Sequence, residues 1–428
     1  MLDVRWVRQH PDEAIERLGL RGAPETTDGA VRRLVELDEE RRTLVAESDG
    51  LKAQRNSVSQ EVGERKRRKE DAGELIVEMR TVGDRIKAVD ARLREVEAEV
   101  EDLLLRTPNL PHASVPPGGE EANVVVREWG EEREFDFDPR PHWEVGSELG
   151  LLDLPTGAKV AGSGFPAFIG PGARLQRALV NWMLDLHTAE HGYTEASPPY
   201  LVLQDAMRGT GQYPKFVEEG DAYEVAEDGL YLIPTAEVPV TNFHREELLE
   251  GQRLPISYVA HSPCFRREAG AAGKDTRGLL RVHQFEKVEL VRFERPEESA
   301  DALERLTNHA ERVLQLLGLR YRVVLLAGSD LGFASTKTYD LEVWAPGVGR
   351  WLEVSSSSNF GDFQARRADI RFRRAPGEKP EFVHTLNASG IALPRTTVAL
   401  IENGQQADGS VIVPEVLRPY VGTDHFRA

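Results

Sequence analysis

The chain has 428 residues, 40% hydrophobic and 29% charged, and 54 Lys and Arg against 72 Asp and Glu give a formal charge of −18. This is the composition of a soluble globular protein large enough for two or more domains, and the net charge taken alone argues against nucleic-acid binding. One cysteine, Cys264, excludes an internal disulfide framework; with no apolar signal segment in MLDVRWVRQHPDEA and no run long enough to span a bilayer, a cytoplasmic location is expected.

Pro11 with Asp12 and Glu13 opens a helix that Gly19 and Gly22 stop. From Asp28 a longer element begins. Leu34, Leu37, Arg41, Leu44, Ser48, Leu51, Arg55, Val58 and Val62 step by threes and fours, as do Leu75, Met79, Val82, Ile86, Val89, Leu93, Val96, Val100 and Leu103. Two such heptad stripes reversing at Gly73 predict an antiparallel helical hairpin over 28–104, each leg about 50 to 60 Å long, with a thin seam on the first leg. A reach device, a partner-binding rod and a plain dimerisation coiled coil all fit the pattern. Between Leu51 and Glu70, seven basic residues face three acidic ones, a local excess that favours one polyanion in one place. TPNLPHASVPPGGEE, with four prolines and two glycines, is read as a linker over 107–121.

Beyond it, Val124 to Val126 reads as a strand and Pro139 to Leu151 as a short, partly helical segment. GSGFPAFIGPG, Gly162 to Gly172, leads into no GxGxxG or GK[ST] spacing and is read as turn chemistry. Arg174 to His191 places Leu175, Leu179, Trp182, Met183 and Leu186 on one face, an amphipathic helix ended by Gly192. A strand through Glu195 to Ser197 then stops at Pro198-Pro199. HTAEH, His187 to His191, has the form of an inverted zinc-protease motif but sits on a last helical turn with no third-ligand helix after it. Surface or interface histidines are therefore preferred, and a zinc hydrolase is kept as a rival.

A short strand from Leu230 to Pro234 delivers Thr235-Ala236-Glu237. An apolar run then reaches Cys264 and Phe265, breaks into Arg266-Arg267-Glu268, crosses a loop with Gly270, Gly273 and Gly278, and returns as the alternating strand Val282 to Val291. Two strands joined by a flexible basic loop can hold arginines rigidly against a polyanion. Pro296 to Leu317 reads as a helix. Strand alternation resumes at Tyr321 to Leu326, Thr338 to Trp344 and Arg350 to Val354, with a hairpin turn over Pro346 to Gly349. Strands arriving in hairpins with few helices between them predict an antiparallel sheet. His384 to Gly390, Pro394-Arg395-Thr396 and the apolar helix Val398 to Glu402 close the chain's chemistry.

Phe265-Arg266-x-Glu268, then Arg281-x-His283-x-Phe285-x-x-x-Glu289, resembles the second signature of the class II aminoacyl-tRNA synthetases, and HQFEKVE resembles its form in the seryl-tRNA synthetases. The helix, strand and proline ending at Pro198 resemble the first signature, and the strand, Gly390, Arg395 and helix resemble the third. With the helical hairpin, the resemblance spans essentially the whole chain. It implies an α+β fold: a class II antiparallel catalytic sheet flanked by helices over 122–428, preceded by an N-terminal tRNA-binding domain over 1–106 with a coiled-coil arm.

The resemblance also implies an activity, the ATP-dependent activation of L-serine to an adenylate and its transfer to tRNA(Ser) and tRNA(Sec), by a homodimer using Mg²⁺. Arg266 would grip the α-phosphate and the amino-acid carboxylate, and Arg395 the γ-phosphate. Glu268 would accept from the adenine amino group, Arg281 and Phe285 would sandwich the ring, and Arg267, Val282, Val354 and Ser355 would complete the nucleotide site. Glu353 and Ser356 would bridge to the metal. Thr235, Ala236, Glu237, Glu289 and Ser389, with Arg266, would hold serine. Lys52, Arg55, Arg65 and Arg68 would contact tRNA. A paralogue supplying seryl adenylate or seryl-tRNA to another pathway, and a non-catalytic RNA-binding protein on the same scaffold, are the further rivals.

Overall fold

The computed structural model describes residues 1–22, 24–270 and 276–428, so that Gly273 lies outside the described residues. The chain divides into two compact units, one of Leu2–Gly19 with Ala23–Pro108 and one of Met1, Leu20–Gly22 and Asn109–Ala428. No helix among the described residues is long and apolar enough to cross a membrane.

The first unit is helical. A short helix α1 (Val4–Gln9), not foreseen in the sequence, starts where the Asp3 carboxylate accepts from the backbone N–H groups of Arg5 and Trp6. α2 (Pro11–Gly19) follows, with acidic residues in its first turn. α3 begins at Pro24 instead of Asp28 and runs to Arg68, and α4 spans Gly73–Arg106. Proline tolerates a first helical turn, which lets α3 start earlier than the apolar stripe does. At 1.5 Å per residue the 45-residue α3 is roughly 68 Å long, more than the periodicity alone implied. The two long helices pack antiparallel along Leu34, Leu37, Val62, Val82, Ile86, Val89, Val96 and Val100, all buried. Between these apolar contacts the legs are joined by polar ones. Arg92 reaches Glu40 at 2.7 Å, and the Ser48 hydroxyl donates to Asp90 at 2.7 Å. The seam is thin and partly solvated, as its polar core-facing positions require.

The second unit is built on an eight-stranded sheet. Its strands are β1 (Val124–Trp129), β2 (Thr194–Ala196), β3 (Ile256–Phe265), β4 (Gln284–Glu294), β5 (Tyr321–Leu325), β6 (Lys337–Ala345), β7 (Arg350–Gly361) and β8 (His384–Ala392). They lie in the order β1-β5-β6-β7-β8-β4-β3-β2, antiparallel except for the β2–β3 pair. Three helices, α5 (Pro171–Ala189), α6 (Ser299–Leu317) and α7 (Leu393–Gly404), contribute to one core with the sheet. Leu179, Met183, Leu306 and Ile401 meet Val288, Leu290, Leu341, Leu352, Leu386 and Ala388 there. Each of these side chains larger than alanine, removed from water, contributes about 1.5–3 kcal/mol before entropy is counted. α5 lies close enough that a Cβ on Gly172 would sit 1.8 Å from the Leu151 carbonyl oxygen.

Because strand side chains alternate, the neighbours of those core residues face the other way. Lys287 and Glu289 on β4, Asp340 on β6 and Asn387 and Ser389 on β8 lie on that opposite face. Two irregularities adjust the alternation. Between β6 and β7 the register slips at Leu341/Glu342, which pair with Ser355 and Glu353 and leave Val354 as an extra residue. A regular strand would put residues 353 and 356 on opposite faces; the bulge brings both onto the cavity side. Between β4 and β8, Val288 pairs with Ile391 and Glu289 with Ser389, leaving Gly390 extra. Ile391 beside it has φ 147, a strained backbone for a β-branched residue.

Candidate active site

The open face of the sheet carries a cavity of about 620 Å³. Arg266, just past the end of β3, and Arg395, in the first turn of α7, both line it. The helix therefore starts five residues earlier than the apolar run at Val398 suggested, and fixes Arg395 on a rigid element. Arg266 is held at both levels: its backbone N–H donates to His283 at 2.9 Å and its Nε to the Pro234 carbonyl at 3.3 Å. Its guanidinium carbon lies 5.3 Å from the Phe285 ring centre. Arg395 donates through Nε to Leu280 at 3.1 Å and through Nη1 to the Glu353 carbonyl at 2.9 Å and carboxylate at 3.1 Å. Two cations from separate parts of the chain thus face one cavity and are pre-oriented by backbone carbonyls, the arrangement that stabilises a spread anion without reorganisation.

Around Phe285 the expected nucleotide residues are gathered with one change of partner. Glu268, whose backbone is left-handed at φ 55, is turned into the cavity wall and ion-paired with Arg281. Arg281 is thus spent on Glu268 in this structure, and the guanidinium over Phe285 is that of Arg266. Val282 and Val354 also line the cavity. Arg267 does not: its Nε donates to Ala222 at 3.0 Å and its guanidinium sits 4.3 Å from the Tyr223 ring centre. Ser355 is likewise turned away, its hydroxyl donating to the Ser389 carbonyl at 2.6 Å. Both are the odd residues out in an alternating segment, so their parity aims them at structural partners.

Glu353 and Ser356 share the cavity wall with Asp340, which pairs with Ser356 across β6 and β7. Asp340 is half-buried, its buried Oδ1 has no hydrogen-bond partner, and desolvation, then the Glu353 charge, raises it well above the carboxylate range. Among the described residues no group of three or more His, Cys, Asp or Glu could hold a metal ion by itself. A carboxylate, a hydroxyl and an orphaned carboxylate oxygen do suit a hard cation that takes its remaining oxygens from phosphate and water.

The residues expected to hold the amino acid form a closed polar network. Glu237 is wholly buried. Its Oε1 accepts from Gln364 at 2.6 Å and its Oε2 from Asn387 at 3.0 Å. The same Asn387 amide donates its second hydrogen to Glu289 at 2.9 Å. Lys287 pairs with Glu289 and donates to the Thr235 hydroxyl at 2.9 Å. Burial, and then the Glu289 charge, pushes Glu237 up to about 7 against the opposing pull of Gln364, Lys287 and Arg266. Burial also raises Glu289, with Lys287, Asn387 and Arg266 pulling the other way. Thr235, Glu237 and Ser389 line the cavity, whereas Ala236 and Glu289 are buried outside its lining. Glu289 is covered where Lys287, its neighbour two residues along, reaches the wall. Lys287, Asn387, Gln364 and Asp340 are the residues that sequence reasoning missed. Only Lys287 left a signal, a lysine on the inward face of an otherwise buried strand.

The remaining expectations fall outside this cavity. Cys264 is buried, and burial raises its thiol. His187 and His191 bond through their Nδ1 atoms at 2.9 Å, and His191 stacks on His309 at 4.1 Å. On the hairpin, Lys52 pairs with Asp90 at 3.1 Å, Arg65 with Glu61 at 2.8 Å and Arg68 with Glu64 at 3.6 Å, while Arg55 is exposed. Exposed pairs of this kind hold their partners weakly, by about 0 to 1 kcal/mol.

Residues 222–404 match the class II core domain model of the tRNA synthetases for G, H, P, S and T, and residues 1–111 match the seryl-tRNA synthetase N-terminal domain. The chain is 55% identical to a serine–tRNA ligase of Carboxydothermus hydrogenoformans, covering 100% of this chain and 99% of that one. It is 58% identical to one of Geobacillus kaustophilus, covering 99% of each. Among solved structures, the seryl-tRNA synthetase of Pyrococcus horikoshii complexed with ATP superposes with a TM-score of 0.94 at 39% identity, over 100% of this chain and 99% of that one. The cytoplasmic serine–tRNA ligase of Naegleria fowleri in complex with AMP gives 0.88 at 30%, over the same shares. Two family models in their expected order, full-length relatives above half identity and a shared three-dimensional course leave one assignment: the chain belongs to the seryl-tRNA synthetase family of class II aminoacyl-tRNA synthetases.

Proposed function

We propose that this protein is a serine–tRNA ligase, which condenses L-serine with ATP to seryl adenylate and pyrophosphate and then transfers the seryl group to the 3′ end of tRNA(Ser). The observation that carries this reading is the meeting of Arg266 and Arg395 in one cavity with the Glu237, Glu289, Asn387 and Thr235 network. The serine carboxylate attacks the α-phosphorus while Arg266 neutralises both anions, and Arg395 draws the charge that leaves with pyrophosphate. No proton has to move in that step, which suits arginines, since they stay charged throughout. The carboxylates of Glu237 and Glu289 attract the substrate ammonium. Polar groups built for a hydroxyl disfavour alanine, because its methyl leaves them unpaired. Phe285 offers adenine a stacking face, and Glu268 accepts from its amino group once Arg281 moves off to the ring.

Glu353, Ser356 and Asp340 would hold Mg²⁺. When bound, the ion supplies charge neutralisation at the phosphates. Residues 1–106 serve as the tRNA-binding domain, 107–121 as a linker and 122–428 as the catalytic domain. Lys52, Arg55, Arg65 and Arg68 approach the tRNA backbone from the arm. Charging of tRNA(Sec), homodimer formation and a cytoplasmic location belong to the same reading. Pyrophosphate exchange with each amino acid in turn tests it: serine is expected to support exchange, and a preference for another amino acid refutes it. Aminoacylation of tRNA(Ser) by the purified protein separates this reading from a paralogue that stops at the adenylate.

A further inference from the structure

Among the described residues Lys287 is the one lysine in the wall of the cavity, and it is 5% exposed. An ammonium has three donors and no acceptor. One donor reaches Thr235 Oγ1 at 2.9 Å and another is committed to Glu289. Thr235 Oγ1 also accepts from the Glu237 backbone N–H at 3.2 Å. A hydroxyl has two lone pairs and one hydrogen, so with both acceptor positions filled Thr235 can only donate. Glu289, held between Lys287 and Asn387, can only accept.

We propose that Lys287 is a positioning residue for amino-acid recognition: it turns Thr235 into a fixed donor and pins Glu289 as a fixed acceptor, and so sets the polarity that selects a small hydroxylated amino acid. This deepens the proposed function and rests on it. A lysine that merely filled space would need no hydroxyl partner, and one that merely balanced Glu289 would leave Thr235 free to rotate. The charged and titratable groups acting with it are Glu289 and Glu237, Arg266 and Cys264.

The test is serine-dependent pyrophosphate exchange in Lys287→Met and, as a polar variant better able to stay folded, Lys287→Gln. The KM for serine is expected to rise at least tenfold while the KM for ATP stays within twofold. The acid limb of kcat/KM for serine is expected to move to higher pH, because Glu237, like Glu289 beside it, loses the cation that opposes its burial. In Lys287→Ala, propylammonium is expected to restore part of the activity and propanol none. A serine KM and pH profile unchanged in whichever variant folds overturns the inference, as does equal rescue by propanol, which would assign Lys287 a packing role. If the unaltered protein itself shows no serine-dependent exchange, the proposed function fails instead, so the two failures are distinguishable.

Discussion

Serine binding is expected to depend on a single buried carboxyl in the physiological range. Burial, and then the facing Glu289 charge, pushes Glu237 up to about 7. Its ionised form attracts the substrate ammonium and its protonated form does not. At pH 8 about nine-tenths of the protein carries the anion, and at pH 6 about one-tenth. The KM for serine in pyrophosphate exchange should therefore be about tenfold higher at pH 6 than at pH 8, while the KM for ATP changes less than twofold. Thermal stability supplies a second reading of the same group. Its folded value lies above the ordinary 4.5, so without amino acid its contribution favours the folded state at low pH and is lost as pH rises from about 4.5 through about 7. Serine relieves that loss, and the rise in Tm on adding serine should be larger at pH 8 than at pH 6. Glu237→Gln should flatten the KM profile. It should also cost about 1–3 kcal/mol of stability, since one of the two donors from Gln364 and Asn387 would then meet an NH₂ group. A serine KM that stays level between pH 6 and pH 8, or an ATP KM that moves with it, refutes the assignment.

Arg395→Ala should slow pyrophosphate exchange on the order of 10²- to 10³-fold, the usual cost of losing one group aimed at developing charge, with Tm nearly unchanged. Gly172→Ala should lower Tm sharply, because its Cβ would lie 1.8 Å from a backbone oxygen that cannot give way; a loss of about 3 kcal/mol or more is expected by chemical denaturation. Arg55→Glu should lower the rate of tRNA aminoacylation several-fold at low salt, with the effect shrinking as salt is added and pyrophosphate exchange untouched.

The elements that could be read from the sequence are those whose signal is local. The α3–α4 stripe repeats every three or four residues, the strands alternate, and Phe265 to Glu289 holds enough charged positions at fixed spacing to mark a site. What stayed hidden depends on pairing between distant segments. Asn387 carries no local signal, since its significance arises only when β8 lies beside β4 and carries its amide to Glu289. Gln364 reaches Glu237 from 127 residues away. Asp340 becomes part of the wall only through its register with Ser356. Arg267 misled for the converse reason: its motif position is next to Arg266, but in an extended chain adjacent side chains diverge, and Tyr223 and the Ala222 carbonyl take it. Neither bulge could be foreseen, because an extra residue is defined by the partner strand.

The irregularity at Val354 makes β7 a strand of two phases. Upstream of it, even-numbered side chains such as Leu352 feed the helix-backed layer; downstream, the even-numbered Ser356 and Ser358 look into the cavity. An insertion near Pro346 to Gly349 could be absorbed by the turn, whereas keeping Val354 but pairing β7 without its bulge would shift every later residue by one and drive the Ser356 and Ser358 hydroxyls into hydrocarbon. Redesign or grafting of this sheet must therefore treat the miscounted residue and its local kink as one unit, because keeping the one without the other inverts everything downstream.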